Sequence, residues 1–297
     1  MSLGFLTHWS LEPLVLTPLG IIAATFWWLL ARVRGGAHPG HVPTRRVVFL
    51  SASLVVAFLA LESPLGFYAD QSFSVHMIQH LLLTLVVAPL FVLGGPVTLA
   101  LQGATPGVRR DLLLPLLHGR IVRVLSNPVV SWGFFALALP LSHIPAFYDL
   151  TLRSNVWHGL EHLVLVFSAT LFWWPIAGVD PVPSRISHPA RVLYLFLIMP
   201  VMTFTGLGIY NATHVLYPHY AAVAERLHQS ALADQNLAGA LMWESGMFLI
   251  VPALGAVLID WMNREERESI RDDARRARLT TSAAGRVTPV VGNETAP

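Results

Sequence analysis

Two short segments each place a pair of histidines four residues apart, a spacing that suits metal binding. His76 and His80 lie in SVHMIQHLLL, and His158 and His162 lie in VWHGLEHLVL. Side chains four residues apart share one face of a helix, with Cβ atoms about 5–6 Å apart, so each pair can offer two imidazoles to one ion. Two such helices facing each other would offer four ring nitrogens. The pattern therefore predicts a metal site built from both pairs, and a purely structural polar cluster is the alternative.

Neighbouring side chains extend this candidate site. Gln79 and Glu161 each lie three residues after the first histidine of a pair, where they can orient a ligand or accept its proton. Met202 and Met242 are expected at a similar depth in the membrane as candidate thioether ligands. Imidazole with thioether and without thiolate suits copper, especially Cu(I), whereas imidazole alone suits zinc equally well. His143, in LSHIPAFYD, is a weaker candidate ligand.

Polar residues before the last apolar run form a further group of candidates. His214, His219 and His228 lie in one loop, where they are either an uptake and hand-over site for the metal or ordinary loop residues. The sequence favours neither interpretation. Asp234, at the edge of the same apolar run, is a candidate helix N-cap before it is a candidate ligand.

The elements that must position these residues are membrane-spanning helices. Of the 297 residues, 54% are hydrophobic and 12% charged, whereas a soluble domain has roughly 25% charged residues. Apolar runs of about 20 residues are long enough to cross the hydrocarbon core. The sequence therefore predicts an all-α polytopic integral membrane protein, a bundle of seven transmembrane helices near residues 12–31, 47–65, 73–94, 128–147, 157–177, 191–210 and 236–260.

The basic residues predict the orientation of this bundle. All 19 are arginines, and 17 of them fall in alternate loops and the C-terminal segment, whereas only Arg153 and Arg226 fall in the other loops. Because basic residues concentrate on the cytoplasmic side, we expect the N-terminus outside and the C-terminus in the cytoplasm. The paired histidines then lie on the outer side. Residues 262–297 are expected to form a charged cytoplasmic tail that is disordered after about residue 280.

The absence of certain residue types excludes several classes of function. The chain has no cysteine, which excludes disulfides, thiolate metal sites and iron–sulfur clusters. It has no evident catalytic nucleophile, and we expect no nucleic-acid partner. The predicted spans also lack a charged residue at mid-depth that could couple ion movement to transport.

Longer stretches around these residues carry a family resemblance. The chain resembles the multi-span CtaG family of cytochrome c oxidase assembly factors of Gram-positive and related bacteria. The first predicted span and the tail after residue 262 do not contribute to this resemblance. The resemblance rests on four stretches, in the family's order, that cover most of residues 45–260: SPLGFYADQSFSVHMIQHLLLTLVVAPLFVLGGP from Ser63 to Pro96, HIPAFYD at His143, HGLEH followed by LFWWPIAG, and ALADQNLAGALMW.

This resemblance implies help in the maturation of a haem–copper oxidase, by copper delivery at the outer side of the bacterial cytoplasmic membrane. It makes His76, His80, His158 and His162 the candidate metal ligands. The implied partners are cytochrome c oxidase subunits and the lipid bilayer, and a homo-oligomer is left open. The chain would then be a copper chaperone rather than an enzyme.

Three alternatives stay open. An intramembrane zinc-dependent hydrolase would combine three histidines with a carboxylate from Glu161, Asp70 or Asp234, and would keep one position on zinc open for water. A bis-histidine haem protein would use the same rings as axial ligands, although such histidines usually lie further apart along a helix. A transporter is the third alternative.

Overall fold

The structure, a computed structural model, describes residues 8–35, 40–151, 154–181 and 186–284. These residues are 85% helical, and none of them lies in a strand. Within these ranges, six helices are long and apolar enough to cross a membrane, or seven if one bent pair counts as a single span. The predicted all-α, multi-pass membrane fold is confirmed at this level.

The histidine pair of the third predicted span lies near the start of a long, continuous apolar segment. A π-helical turn at Leu83–Val87 joins α4 to α5. Gly95, at φ +69°, joins α5 to α6 in a left-handed conformation that favours glycine. Phe73–Gly103 is therefore one segment of 31 residues. The helices up to this point are α1 (Pro13–Gly35), α2 (Thr44–Glu62), α3 (Pro64–Ala69), α4 (Phe73–Leu82), α5 (Ala88–Leu93) and α6 (Pro96–Gly103).

The middle of the chain bends where the sequence predicts a single span over residues 128–147. Helices α10 and α11 meet at an angle of 80°. Proline disfavours a helical conformation in the residue before it, so α10 ends at Ser142 and a new helix begins at Pro145. The five helices here are α7 (Pro106–Val108), α8 (Leu114–His118), α9 (Arg120–Leu125), α10 (Pro128–Ser142) and α11 (Pro145–Thr151).

The second half of the chain ends in a helix much longer than the predicted span. A π-helical turn at Gly246–Ile250 joins α15 to α16. Helix α16 continues through the charged tail to Ala284, and residues 285–297, predicted to be disordered, lie outside the described residues. The five helices here are α12 (Asn155–Ala177), α13 (His188–Tyr210), α14 (Pro218–Arg226), α15 (Ala231–Ser245) and α16 (Val251–Ala284).

Two glycines allow a close contact between α13 and α15. A Cβ atom on Gly206 would lie 2.7 Å from the carbonyl oxygen of Gly239, and one on Gly239 would lie 2.5 Å from the backbone nitrogen of Tyr210. Helix α15 also packs on α4, and α12 packs on α10 and α5. These contacts place α4, α10, α12 and α15 around one interior. Large apolar side chains such as Phe204 and Phe248, 73% and 70% exposed, form the outer surface.

Candidate metal centre

The N-cap residue Ser72 and a side chain from α15 fix the start of α4, where the first histidine pair lies. The Ser72 hydroxyl accepts from the Val75 N–H at 3.4 Å. The carboxylate of Asp234, on α15, accepts from the N–H groups of Phe73 at 2.6 Å and Ser74 at 3.3 Å. An acidic group at a helix N-terminus is favourable because it meets unpaired N–H groups and the positive end of the helix dipole. Asp234 therefore caps a neighbouring helix and holds it in register with α15.

The two predicted histidine pairs meet in one cluster. Ring centroids are 4.2 Å apart for His76 and His80, and 4.4 Å apart for His158 and His162. Between the helices, the ring of His76 lies 5.3 Å from that of His158 and 6.0 Å from that of His162. The rings of His80 and His162 are 5.2 Å apart. Ligand nitrogens of His76, His158 and His162 all lie within 4.8 Å of one another.

The cluster is buried, and most of its nitrogens lack a partner. His76, His80 and His162 expose 0%, 3% and 9% of their surface. Within the described part of the chain, neither ring nitrogen of His76 or of His80 makes a hydrogen bond, and neither does Nε2 of His158 or His162. An unsatisfied buried polar group costs about 1–3 kcal/mol. Several such groups converging on one point indicate a site built for something that binds their lone pairs.

A fifth imidazole, that of His143, joins the cluster from the bend between α10 and α11. Its ring lies 5.7 Å from that of His80. Its Nδ1 lies 2.7 Å from the carbonyl oxygen of Leu139, and a carbonyl can only accept a hydrogen bond, so Nδ1 carries the proton. Nε2 therefore carries a lone pair, and it has no partner among the described residues. His143 is thus in the tautomer that a metal ligand needs.

The two polar neighbours of the pairs take different positions. Oε1 of Glu161 lies 4.0 Å from Nε2 of His80, and carboxylate and ring nitrogens of Glu161, His76 and His80 fall within 4.8 Å of one another. Gln79 instead donates through Nε2 to the carbonyl oxygen of Ala60 on α2, at 2.9 Å. Glu161 therefore belongs to the cluster, whereas Gln79 ties α4 to α2.

Three tyrosines, hereafter the tyrosine roof, cover the cluster on the side of α14: Tyr148, Tyr217 and Tyr220. The ring of Tyr148 lies 5.2 Å from that of His76. The Tyr220 hydroxyl donates to the carbonyl oxygen of Ala69 at 2.9 Å, so in its 2.8 Å contact with Tyr148 it is the acceptor. Burial raises the pKa of Tyr220 well above its usual range, which keeps it a hydroxyl donor.

The third member of the roof ties α14 to the bend that carries the fifth imidazole. The Tyr217 hydroxyl donates to the carbonyl oxygen of His143 at 2.8 Å, and burial also raises the pKa of Tyr217. The sequence gives no periodic signal for the roof, because its members come from two separate segments that meet only in the folded bundle. The only local hint is that Tyr148 follows Pro145 and Tyr217 precedes Pro218, at the starts of short helices.

The remaining candidates lie in the hydrophobic core or toward the surface. Met202 and Met242 are buried within the main hydrophobic core, and a thioether ligand stays a prediction. Nε2 of His219 donates to the carbonyl oxygen of Asp70 at 3.0 Å. His214 and His228 are exposed. The uptake role predicted for this loop stays a prediction.

The donor set determines what this centre can hold. Five imidazoles and one carboxylate fit a borderline transition metal such as copper or zinc, and the absence of thiolate argues against an iron–sulfur cluster. The unpartnered, buried nitrogens provide the lone pairs. For His143, the hydrogen bond from Nδ1 to the carbonyl oxygen of Leu139 fixes the orientation of the ring and leaves Nε2 as the donor atom. A buried imidazole cluster near one end of an apolar helix bundle defines the molecule as a multi-pass membrane protein with a candidate metal centre.

Comparison with known proteins places this chain in a family. The sequence profile described as cytochrome c oxidase caa3 assembly factor (Caa3_CtaG) matches residues 24–264. The chain belongs to this family of assembly factors. The match covers every residue of the imidazole cluster and of the tyrosine roof.

Similar proteins occur in mycobacteria. An uncharacterised protein of Mycobacterium bovis and one of Mycobacterium tuberculosis are each 29% identical over 279 residues, which is 90% of this chain and 41% of theirs. An uncharacterised protein of Mycobacterium leprae is 28% identical over 91% of this chain and 42% of its own length. The chain thus spans about two fifths of the length of these relatives. No solved structure matches the chain significantly.

Proposed function

We propose that the imidazole cluster binds copper as cargo and passes it to a subunit of a haem–copper oxidase. The observation that carries this proposal is the convergence of five imidazoles, four of them from buried residues, with seven ring nitrogens that have no partner among the described residues. Membership of a cytochrome c oxidase assembly family suggests that the metal serves the assembly of an oxidase. The imidazole donors suggest a metal such as copper.

The arrangement of the rings suits release as well as binding. His76 belongs to two overlapping ligand groups, one with His158 and His162 and one with His80 and Glu161. An ion can exchange ligands between such groups without losing all of its donors at once. A carrier needs this property, because transfer to a partner proceeds through stepwise replacement of its ligands.

The distribution of arginine supports an outward-facing site. His158 and His162 lie at the N-terminal end of α12. The opposite end of this helix, at Ala177, lies near Arg191 of α13 and near Arg264 and Arg267 of α16. Because basic residues mark the cytoplasmic side, the imidazole cluster faces the outer compartment in this proposal. Copper would then be taken up from outside and handed over on the same side.

The proposal is tested by the metal content of the purified protein, measured by mass spectrometry after growth with added copper and zinc. Wild type should retain copper, and both His76→Ala/His80→Ala and His158→Ala/His162→Ala should lose it. The matched control is His41→Ala/His118→Ala, which removes two histidines outside the cluster and should keep the wild-type copper content. Equal copper in wild type and both cluster variants would refute the proposed site.

A second candidate function, a zinc-dependent hydrolase, is favoured by one specific observation. His76, His158 and His162 form a three-histidine group, and Glu161 lies beside it in the overlapping group. Zinc held by three histidines lowers the pKa of bound water to about 7, and a carboxylate can then accept its proton. One zinc per chain, with hydrolytic activity lost in Glu161→Gln, would favour this function. Copper in the same preparation would favour the carrier.

A further inference from the structure

An arginine-lined cleft lies at the end of the bundle opposite the imidazole cluster. It has a volume of about 480 Å³ and lies between the end of α12, the start of α13 and the extension of α16. Ala177 and Gly178 form one wall, and Ile186 and Ser187 another. The cleft shares no residue with the imidazole cluster or the tyrosine roof, and the proposed copper function does not use it.

Four arginines line this cleft. Arg191 comes from α13, with a side chain that is 14% exposed, and Arg264, Arg267 and Arg271 come from α16. Their spacing of three and four residues puts the three α16 arginines on one helix face. All three residues are exposed to solvent, and they line the cleft together with residues at the start of α13.

The cleft also contains two carboxylates and a histidine. Oδ2 of Asp260 lies 3.1 Å from Nε2 of His188 and 4.0 Å from Nη1 of Arg191. Oε1 of Glu268 lies 3.7 Å from Nε of Arg264. Among the described residues, four arginines against two carboxylates leave a net charge of two positive units, without counting His188. Like charges gathered in one concave site repel one another, so an anion in the cleft would stabilise it.

Backbone groups at the end of α12 and the start of α13 also line this cleft. Gly178 has φ +58°, and a Cβ atom there would lie 3.2 Å from Nη2 of Arg191. The guanidinium group of Arg191 therefore lies directly against the backbone at Gly178. Ser187 precedes the first residue of α13, where helix N–H groups without helical partners begin. Guanidinium forks beside such N–H groups form the usual geometry of a phosphate site.

We propose that this cleft binds a phosphate group, carried either by the headgroup of an anionic phospholipid or by a soluble phosphate compound. The cleft lies at the polar end of the spans, where Trp261 stacks on His188 with ring centroids 6.3 Å apart, and aromatic side chains mark the membrane interface. Basic pockets at this level between membrane helices recognise lipid headgroups. The same arginines would recognise free phosphate.

The test compares Arg264→Gln/Arg267→Gln/Arg271→Gln with Arg275→Gln/Arg276→Gln/Arg278→Gln, which removes the same charge from the same helix outside the cleft. Each purified protein is titrated with inorganic phosphate, with phosphatidylglycerol in mixed micelles and with phosphatidylcholine as the neutral lipid, and binding is followed by native mass spectrometry and thermal shift. The cleft variant should bind the anionic ligand more weakly by about a hundredfold, because three arginines lose their contribution. The control variant should stay within about twofold of wild type.

A substitution of opposite sign sharpens the test. Asp260→Asn removes one negative charge from the cleft and should tighten binding of the same ligand. Binding of phosphatidylglycerol alone identifies a lipid headgroup as the source of the phosphate, and binding of inorganic phosphate identifies a soluble source. The proposal is overturned if wild type binds neither, or if the two triple variants lose binding equally. Copper content, measured in parallel, reports on the imidazole cluster independently.

Discussion

The imidazole rings of His76 and His158, from different helices, stack at a centroid distance of 5.3 Å with their planes 18° apart. The contact joins two segments that are separated by 82 positions in the sequence and by several helices in the fold. Each ring carries an Nε2 atom without a partner among the described residues. The stacking therefore holds two donors side by side before any ion binds, which reduces the reorganisation that binding requires.

Removing the fifth imidazole should weaken metal binding without abolishing it. His143→Ala deletes one lone pair from a cluster that retains four other rings, so we expect the affinity for copper to fall by about tenfold. The measurement is a competition titration with a chelator of known affinity. His118→Ala is a close control, because Nδ1 of His118 also contacts a carbonyl oxygen four residues earlier, that of Leu114 at 2.7 Å. An unchanged affinity in His143→Ala would remove this ring from the site.

Loss of the carboxylate that caps α4 should destabilise the protein. Asp234→Ala leaves the N–H groups of Phe73 and Ser74 without this acceptor, and loss of such a cap costs about 1–2 kcal/mol. Thermal unfolding in detergent measures the effect. Asp273→Ala, at an exposed position of α16, should leave the unfolding temperature unchanged. Equal unfolding temperatures for both variants would show that the contact with α15 adds no stability.

A methyl group at the glycine contact between α13 and α15 should also destabilise the bundle. Gly206→Ala would put Cβ 2.7 Å from two backbone atoms of α15, and overpacking of this kind costs about 1–3 kcal/mol. Gly208→Ala lies two residues away on the same helix, and a Cβ atom there meets nothing within 4 Å. We expect thermal unfolding to separate the two variants. If Gly208→Ala were as unstable as Gly206→Ala, helix packing would not explain the loss.

The tyrosine roof predicts a loss of stability at alkaline pH. Burial raises the pKa of Tyr220, so its contribution to stability is complete below the pKa of an unfolded tyrosine, about 10. As the pH rises above that value, the unfolded state releases its proton first and the folded state loses stability. Unfolding temperatures measured from pH 8 to pH 11 should therefore fall less steeply for Tyr220→Phe than for wild type. A parallel fall in both would exclude Tyr220 as a contributor, and Tyr210→Phe, at an exposed tyrosine, should keep the wild-type profile.

The sequence was sufficient to predict the class of fold and the core of the site. Apolar runs and arginine spacing indicate membrane helices, and the four-residue spacing of His76 and His80 and of His158 and His162 puts each pair on one helix face. These features are local, since period and length in the sequence determine them. The structure adds that both pairs face the same interior and come within ligand distance of each other.

Other parts of the candidate site depend on long-range packing, so the sequence indicates His143 only as a weaker candidate and does not indicate the tyrosine roof. His143 joins the cluster because Pro145 breaks its span and turns the bend inward. Tyr220 contacts Tyr148, 72 residues away in the sequence, because α14 packs over the helix ends. A periodic pattern in the sequence does not reveal such a contact. Met242 is buried in the hydrophobic core, and its role as a thioether ligand stays a prediction, because position along a helix does not determine which way a side chain points.

The most direct test of the central claim is the copper content of cytochrome c oxidase isolated from cells that carry His76→Ala/His80→Ala in place of the wild-type chain. The proposed function predicts an oxidase that is deficient in copper, while cells carrying His41→Ala/His118→Ala assemble an oxidase with its full complement. A fully copper-loaded oxidase in the His76→Ala/His80→Ala cells would contradict the claim that the imidazole cluster supplies this metal.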